Sequence, residues 1–79
     1  MTSPLAGVEE ARPIEVRLNG KLRSVPAGLT VRALLEWLEL RPELVVVELN
    51  HEILRRDAYA GTRVQGGDTL ELVHFVGGG

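Results

Sequence analysis

The sequence predicts an α+β domain in which one main helix packs against a mixed sheet of four to five strands. Apolar runs and apolar–polar alternations, both typical of strands, recur from residue 14 to the end of the 79-residue chain. Only residues 30–38 carry apolar side chains at helical spacing. One helix and one sheet must bury their apolar sides against each other, because neither has a further layer to pack on.

The first two strands are predicted to form an antiparallel hairpin. Residues 14–18 alternate apolar and charged side chains, which gives the strand one apolar face. Asn19 and Gly20 follow, and both residue types tolerate the positive φ angles of a type I′ turn. Residues 21–25 then form the return strand, which Pro26 ends.

The helix is predicted to begin after Thr30, whose hydroxyl can accept a free backbone N–H of the first turn. Leu29 and Leu34 have the spacing of a hydrophobic staple across this cap. Pro42 is predicted to end the helix, because the residue before a proline is disfavoured in helical geometry. The apolar stripe of the helix comprises Val31, Leu34, Leu35 and Leu38.

The second half of the chain is predicted to contain two further main strands. Residues 44–49 are a continuous apolar run rich in β-branched side chains, which indicates a central strand covered on both faces. Asn50 and His51 form a turn, and residues 52–56 form a short strand or an extended loop. After an irregular segment and a tight turn, residues 69–75 form the last strand, which is predicted to be central. Leu70 and Leu72 lie on its one face, and Glu71, Val73 and Phe75 lie on the other.

Composition excludes several functional classes. The net charge of −2, from nine basic and eleven acidic residues, does not favour nucleic acid or a membrane as a partner. There is no cysteine and there are only two histidines, so neither a thiolate site nor a side-chain metal site is expected. No paired carboxylates and no nucleophile beside a base are evident, so we do not expect an enzyme. No signal peptide or membrane span is visible, which favours the cytoplasm.

The ends of the chain differ from its middle. Residues 1–13 are rich in Pro, Gly and Glu and are predicted to be a flexible leader, residues 14–76 the folded domain, and residues 77–79 a flexible tail of three glycines. Because Gly makes up about 7% of average sequences, three at one fixed place arise by chance in roughly 0.03% of chains. An idle tail or a cloning remnant are the alternatives to a functional tail.

Four segments carry a resemblance to a known family. They are LNGK at 18–21, TVRALLEWL at 30–38, VVVELNHEILRRDAY at 45–59 and GGDTLELVHFVGGG at 66–79. The pattern resembles the β-grasp, or ubiquitin-like, fold. Within that fold it is similar to the ThiS family, the sulfur carriers that serve formation of the thiazole ring of thiamine.

The resemblance implies a chemistry for the tail. An adenylyltransferase of the ubiquitin-activating type would consume ATP and join AMP to the carboxyl group of Gly79. A persulfide sulfur donor on a protein would then displace AMP and leave a thiocarboxylate, whose sulfur passes to thiazole synthase. Gly78 would thread into the enzymes with the terminal residue, and Gly77 would either thread as well or release the tail from the strand. The chain itself would bind no cofactor.

Four residues are predicted to dock on a partner. Val73, Phe75 and Val76 would form an apolar anchor beside the tail, if the helix covers the opposite face of the last strand. The alternative is that Phe75 packs into a secondary core with Tyr59 or Ile53. Arg56, with its neighbour Arg55, is either solvated or pairs with acidic groups of the partner.

Two other functions are compatible with the same fold and tail. One is the small subunit of molybdopterin synthase, whose partner would be the large catalytic subunit. The other is a ubiquitin-like modifier, which would form isopeptide bonds between Gly79 and lysines of other proteins.

Overall fold

The computed structural model describes residues 12–75. These residues form a five-stranded mixed sheet with one α-helix, as the sequence predicts. The strands, in chain order, are β1 (Pro13–Leu18), β2 (Lys21–Pro26), β3 (Val45–Leu49), β4 (Glu52–Leu54) and β5 (Thr69–His74). The helix α1 spans Val31–Trp37, and 3₁₀ turns occupy Pro42–Leu44 and Arg56–Gly61. The predicted leader lies almost wholly outside the described residues, although Pro13 already belongs to β1.

The sheet has the strand order β2-β1-β5-β3-β4, which places the last strand at its centre as predicted. β1 and β2 form the predicted antiparallel hairpin, and φ is +49° at Asn19 and +86° at Gly20, as a type I′ turn requires. β1 runs parallel to β5 over only two residue pairs, Arg17 with Thr69 and Leu18 with Leu70. β3 is antiparallel to both β4 and β5.

The core lies between α1 and one face of the sheet. Thr30 caps the helix as predicted, because its hydroxyl oxygen accepts the N–H of Ala33 at 3.1 Å. The helical stripe is fully buried at Val31, Leu34 and Leu35. The sheet contributes Val16, Leu18, Val25, Val45, Val47 and Leu70, and the loops contribute Tyr59 and Val64.

The helix ends at Trp37, so the predicted end at Pro42 is wrong. The N–H of Leu40 donates to the carbonyl of Leu35 at 2.9 Å, which is the long bond of a Schellman motif. Glu39 takes the left-handed position of this motif with a φ of +65°, although glycine is the usual residue there. The chain therefore reverses before it reaches Pro42, which begins a 3₁₀ turn instead.

The prediction that the third strand is covered on both faces is also wrong. Val45 and Val47 are fully buried under the helix, whereas Val46 and Glu48, on the other face of β3, are only half-buried. Within residues 12–75 the single α-helix lies on one face of the sheet. An apolar run of β-branched residues therefore marks a strand that is central but open to solvent on one side.

The Tyr59 hydroxyl replaces a backbone hydrogen-bond donor that the short strand β4 does not supply. β3 and β4 pair only as far as Val47 with Leu54, so the carbonyl of Val45 has no β4 residue opposite it. The buried hydroxyl of Tyr59 donates to this carbonyl at 2.7 Å. The 3₁₀ turn Arg56–Gly61 thus holds its tyrosine in the core by both packing and a hydrogen bond.

Candidate functional site

The candidate site lies at the carboxyl end of β5. The N–H of Phe75 still donates to the carbonyl of Leu44 at 2.8 Å, so the chain is held against β3 one residue beyond the strand. The predicted functional residues Val76, Gly77, Gly78 and Gly79 lie outside the described residues. The structure therefore fixes the point from which the chain enters residues 76–79, at the end of the central strand.

An apolar patch lies on the face of the sheet opposite the helix. We call it the open-face patch, and it comprises Val46, Ile53, Val73 and Phe75. Val46 and Val73 are direct cross-strand neighbours, and the exposed fraction is 66% for Ile53 and 53% for both Val73 and Phe75. The prediction that Val73 and Phe75 share the face opposite Leu70 is confirmed. The alternative, a secondary core around Phe75, does not form, because Tyr59 is buried in the main core and Ile53 is exposed.

Two carboxylates lie directly beside this patch. Glu48 of β3 is the cross-strand partner of both Glu71 on β5 and Ile53 on β4. Together with Val46 and Val73 these residues line a shallow depression of about 90 Å³. The ion pairs found within residues 12–75 include neither glutamate. The open face therefore offers a partner apolar contacts and negative charge together.

Arg56 lies at the same end of the sheet as the end of β5, but on the far side of β3. β4 and β5 are both antiparallel to β3, so their carboxyl ends lie at the same end of the sheet, and Arg56 begins the 3₁₀ turn shortly after β4. Arg56 is exposed, and its neighbour Arg55 contacts Asp57 at 3.5 Å. Its docking role remains a prediction.

Two asparagine side chains hold the ends of β5, and the sequence reasoning missed both. At the start of the strand, the side-chain oxygen of Asn50 accepts the N–H of Thr69 at 2.9 Å. Towards its end, the side-chain oxygen of Asn19 accepts the N–H of Leu72 at 2.7 Å. Both asparagines stand in turns with positive φ, +53° and +49° respectively. The turns themselves were predictable, but the strand that each side chain would reach was not.

The family model for ThiS matches residues 16–79 of the chain. The chain belongs to the ThiS family. It is 40% identical to the sulfur carrier protein ThiS of Bacillus subtilis over 81% of this chain and 98% of that protein. It is also 32% identical to ThiS of Escherichia coli, over 84% of this chain and all of that protein.

A solved structure confirms the β-grasp fold. The crystal structure of the thiamine biosynthesis protein ThiS from Geobacter metallireducens superposes with a TM-score of 0.71 at 40% identity. The superposition covers 84% of this chain and all of that one. The expectation of a ThiS-like fold, made from four short segments, is thereby confirmed.

Two relatives are much longer proteins named thiazole synthase. The chain is 39% identical to that of Magnetococcus marinus and 45% identical to that of Paramagnetospirillum magneticum. The chain spans about a fifth of their length, 20% and 19% respectively. A ThiS-like segment therefore forms one part of these larger proteins.

The ThiS match covers every predicted site residue of the chain, from Arg56 through Gly79. In residues 12–75 no group of three or more His, Cys, Asp or Glu side chains could hold a metal ion. No helix in this part of the chain is long and apolar enough to cross a bilayer.

Proposed function

We propose that this chain is a sulfur carrier of thiamine biosynthesis that carries sulfur as a thiocarboxylate on Gly79. The observation that carries the proposal is the ThiS match, which spans residues 16–79 and so includes the three terminal glycines. The two full-length relatives named sulfur carrier protein support it. In this role the chain is a substrate and a shuttle, and its partners perform the catalysis.

The chemistry requires activation by a partner. An α-carboxylate is ionised at neutral pH and is a poor electrophile, so sulfur cannot be added to it directly. An adenylyltransferase would use ATP to form the acyl adenylate of Gly79, with release of pyrophosphate. The sulfur of a protein persulfide would then attack the acyl carbon and expel AMP. Reductive cleavage of the resulting sulfur–sulfur bond by a thiol would leave the thiocarboxylate.

A tail of glycines suits this chemistry. Four extended residues, 76–79, reach at most about 13–14 Å beyond Phe75, which is enough to enter a narrow site while the domain stays outside it. Without Cβ atoms, Gly78 and Gly79 can pass close to the backbone of an enzyme and adopt angles closed to other residues. The cost is the conformational entropy lost whenever the tail is ordered. Gly77 would thread with them or release the tail from β5.

The open-face patch is the proposed docking surface for the activating partner. Val73 and Phe75 are exposed apolar side chains immediately before the tail, so a partner that binds them also receives the carboxyl terminus. Val76 would extend this anchor. Arg56, about two strands away, would pair with an acidic group at the rim of the interface. The neighbouring glutamates favour a partner surface that combines apolar and basic side chains.

Thiazole synthase is the proposed acceptor of the sulfur. In two organisms a segment similar to this chain forms about a fifth of a protein named thiazole synthase. A domain that must deliver a group to an enzyme gains a high effective concentration when the two are joined in one chain. The same pairing in separate chains would require the docking surface described above.

An intact-mass measurement tests the proposal. The protein, incubated with its activating partner, ATP, a persulfide donor and a reducing thiol, should gain the mass of one exchange of oxygen for sulfur. The variant that lacks Gly79 should gain no mass while its thermal unfolding stays unchanged, because residues 12–75 supply the sheet and the core. An unchanged mass of the native chain, under conditions that convert a known carrier, would refute the proposal. Rescue of a molybdopterin-deficient strain but not of a thiamine auxotroph would redirect it to molybdopterin synthase.

A further inference from the structure

We propose that Asn19 is a positioning residue that holds the last strand on its β1 side towards the carboxyl end and thereby aims the glycine tail at the activating partner. The inference rests on the proposed function, because it assigns a residue to the presentation of the same tail. Asn19 contacts neither the tail nor any reacting atom. It acts through Leu72, a backbone position of β5.

Asn19 lies at the point where β1 ends while its neighbour β5 continues. The pairing of β1 with β5 ends at Leu18 with Leu70, and the chain then turns away at Asn19. The N–H of Asn19 donates to the carbonyl of Leu70 at 2.9 Å. Its side-chain oxygen accepts the N–H of Leu72 at 2.7 Å. The side chain therefore takes the place of the carbonyl that a longer β1 would have offered.

The hydrogen-bond alternation of β5 explains why this contact matters. The N–H of Phe75 donates to β3, so residues 71, 73 and 75 direct their backbone groups to β3. Residues 70, 72 and 74 direct theirs to the opposite edge, where β1 pairs with Leu70 but has ended before Leu72. Within residues 12–75, the bond from Leu72 to Asn19 is the last one that β1 or its turn makes with this edge. Beyond it, β5 is held from one side only.

A strand held from one side frays more readily than one held from both, and the glycine tail begins five residues after Leu72. Loss of the acceptor should increase opening of residues 72–75 about 2- to 10-fold, the factor that one net hydrogen bond is worth. A partner that takes the tail as an extended chain must then reorder the strand end before it can react. The KM for the carrier should rise by a similar factor, while kcat should stay within about twofold.

The test uses three variants of the full chain. Asn19→Gly keeps the positive φ of the turn and removes the acceptor, whereas Asn19→Asp keeps both. Asn50→Gly is the matched control, because Asn50 has the same turn geometry and holds a backbone N–H of β5, but at the end remote from the tail. Amide exchange by NMR reports opening of the strand end. Release of pyrophosphate from ATP with the activating partner gives KM and kcat.

We expect Asn19→Gly alone to speed amide exchange at residues 72–75 and to raise KM, and Asn19→Asp to restore native values. Asn50→Gly should lower thermal stability and leave KM unchanged. The proposal is overturned if exchange at Leu72 is unaltered in Asn19→Gly. It is equally overturned if Asn50→Gly raises KM as much, because the effect is then general destabilisation. If the native chain is not adenylated at all, the proposed function and the aiming role fail together, and amide exchange still decides whether Asn19 holds the strand.

Discussion

The same substitution should have different effects on the stability of the protein, depending on which face of the sheet receives it. Val47 on β3 is fully buried beneath the helix, whereas Val73 on β5 is 53% exposed in the open-face patch. The two residues are close in the sheet, since Val47 pairs with Leu72. Val→Thr is a suitable change because it preserves the β-branched shape and replaces one methyl group by a hydroxyl. The variants Val47→Thr and Val73→Thr thus differ only in the face that receives the hydroxyl.

The expected magnitudes follow from burial. Among the described residues the core contains no buried polar side chain other than the tyrosine hydroxyl, so the hydroxyl of Val47→Thr enters a dry site and should cost about 1–3 kcal/mol. For a domain of this size, each kcal/mol lowers Tm by about 4–8 °C. At position 73 water solvates the new hydroxyl, and the free energy of unfolding should change by less than about 0.5 kcal/mol.

The same pair of variants tests the docking surface. If the partner buries the exposed half of Val73, Val73→Thr should weaken docking by about 1 kcal/mol, or roughly fivefold in KM for the carrier. Val47→Thr, assayed well below its Tm, should keep the native KM. Thermal unfolding followed by circular dichroism and pyrophosphate release from ATP give the two quantities. Equal losses of stability in the two variants would refute the open face, and an unaltered KM in Val73→Thr would refute the docking role.

Three further substitutions test individual features of the fold by urea or thermal unfolding. Glu39→Gly should raise the free energy of unfolding by about 0.5–1 kcal/mol, because glycine adopts the φ of +65° without the penalty of a Cβ; a loss of stability would contradict the assigned cap. Glu71→Gln should stabilise by about 0.2–1 kcal/mol through relief of repulsion from Glu48, with a smaller gain at high salt. Tyr59→Phe should destabilise by about 1–3 kcal/mol, because the carbonyl of Val45 loses its donor; no loss would show that water replaces the hydroxyl.

The parts of the fold that were predictable from the sequence have local causes. The turn at Asn19 and Gly20 needs two positive φ angles, and that pair of residues supplies them. Thr30 caps the helix through a bond to a residue three positions away. The face of Val73 and Phe75 followed from strand alternation alone once Leu70 and Leu72 were assigned to the core. Each of these inferences required only neighbours in the chain.

The failures have causes that the preferences of single residues do not reveal. The end of the helix was assigned to Pro42, since proline is a strong local signal, whereas the observed end uses an unfavourable φ at Glu39. That conformation is stabilised by the Schellman bonds and by packing of the following residues against the core, which no residue preference at position 39 predicts. The apolar run 44–49 suggested burial on both faces, but one helix covers only one face of a sheet. Val46, which is half-buried on the open face, is then available for a partner, and a sequence cannot distinguish a partner from a second layer of its own chain.

The candidate site, like the fold, could be predicted from the sequence only in part. The tail residues could be proposed from the sequence because the chemistry assigned to them lies in the main chain and three successive glycines are unusual, but the side chain that holds β5 could not be. Asn19 and Leu72 are 53 positions apart, and their bond exists only because β1 and β5 run in parallel with β1 the shorter. Because the turn alone accounts for an asparagine at position 19, the sequence does not indicate that its side chain also bonds to β5.

The position of β5 in the sheet connects the docking of a partner with the presentation of the carboxyl terminus. A tail attached to an edge strand would peel away from the sheet when a partner draws it in, because an edge strand is bonded on one side only. β5 is bonded to β3 along its length and to β1 or Asn19 as far as Leu72. Hydrogen bonds on both sides of the strand therefore oppose its separation from the sheet when a partner pulls on the tail. The exposed apolar side chains at the end of the same strand, Val73 and Phe75, belong to the open-face patch. A partner that docks on Val73 and Phe75 therefore takes hold of the strand whose direction determines where the carboxyl terminus goes, and weakening either the patch or the Asn19 bond should raise KM without altering the chemical step.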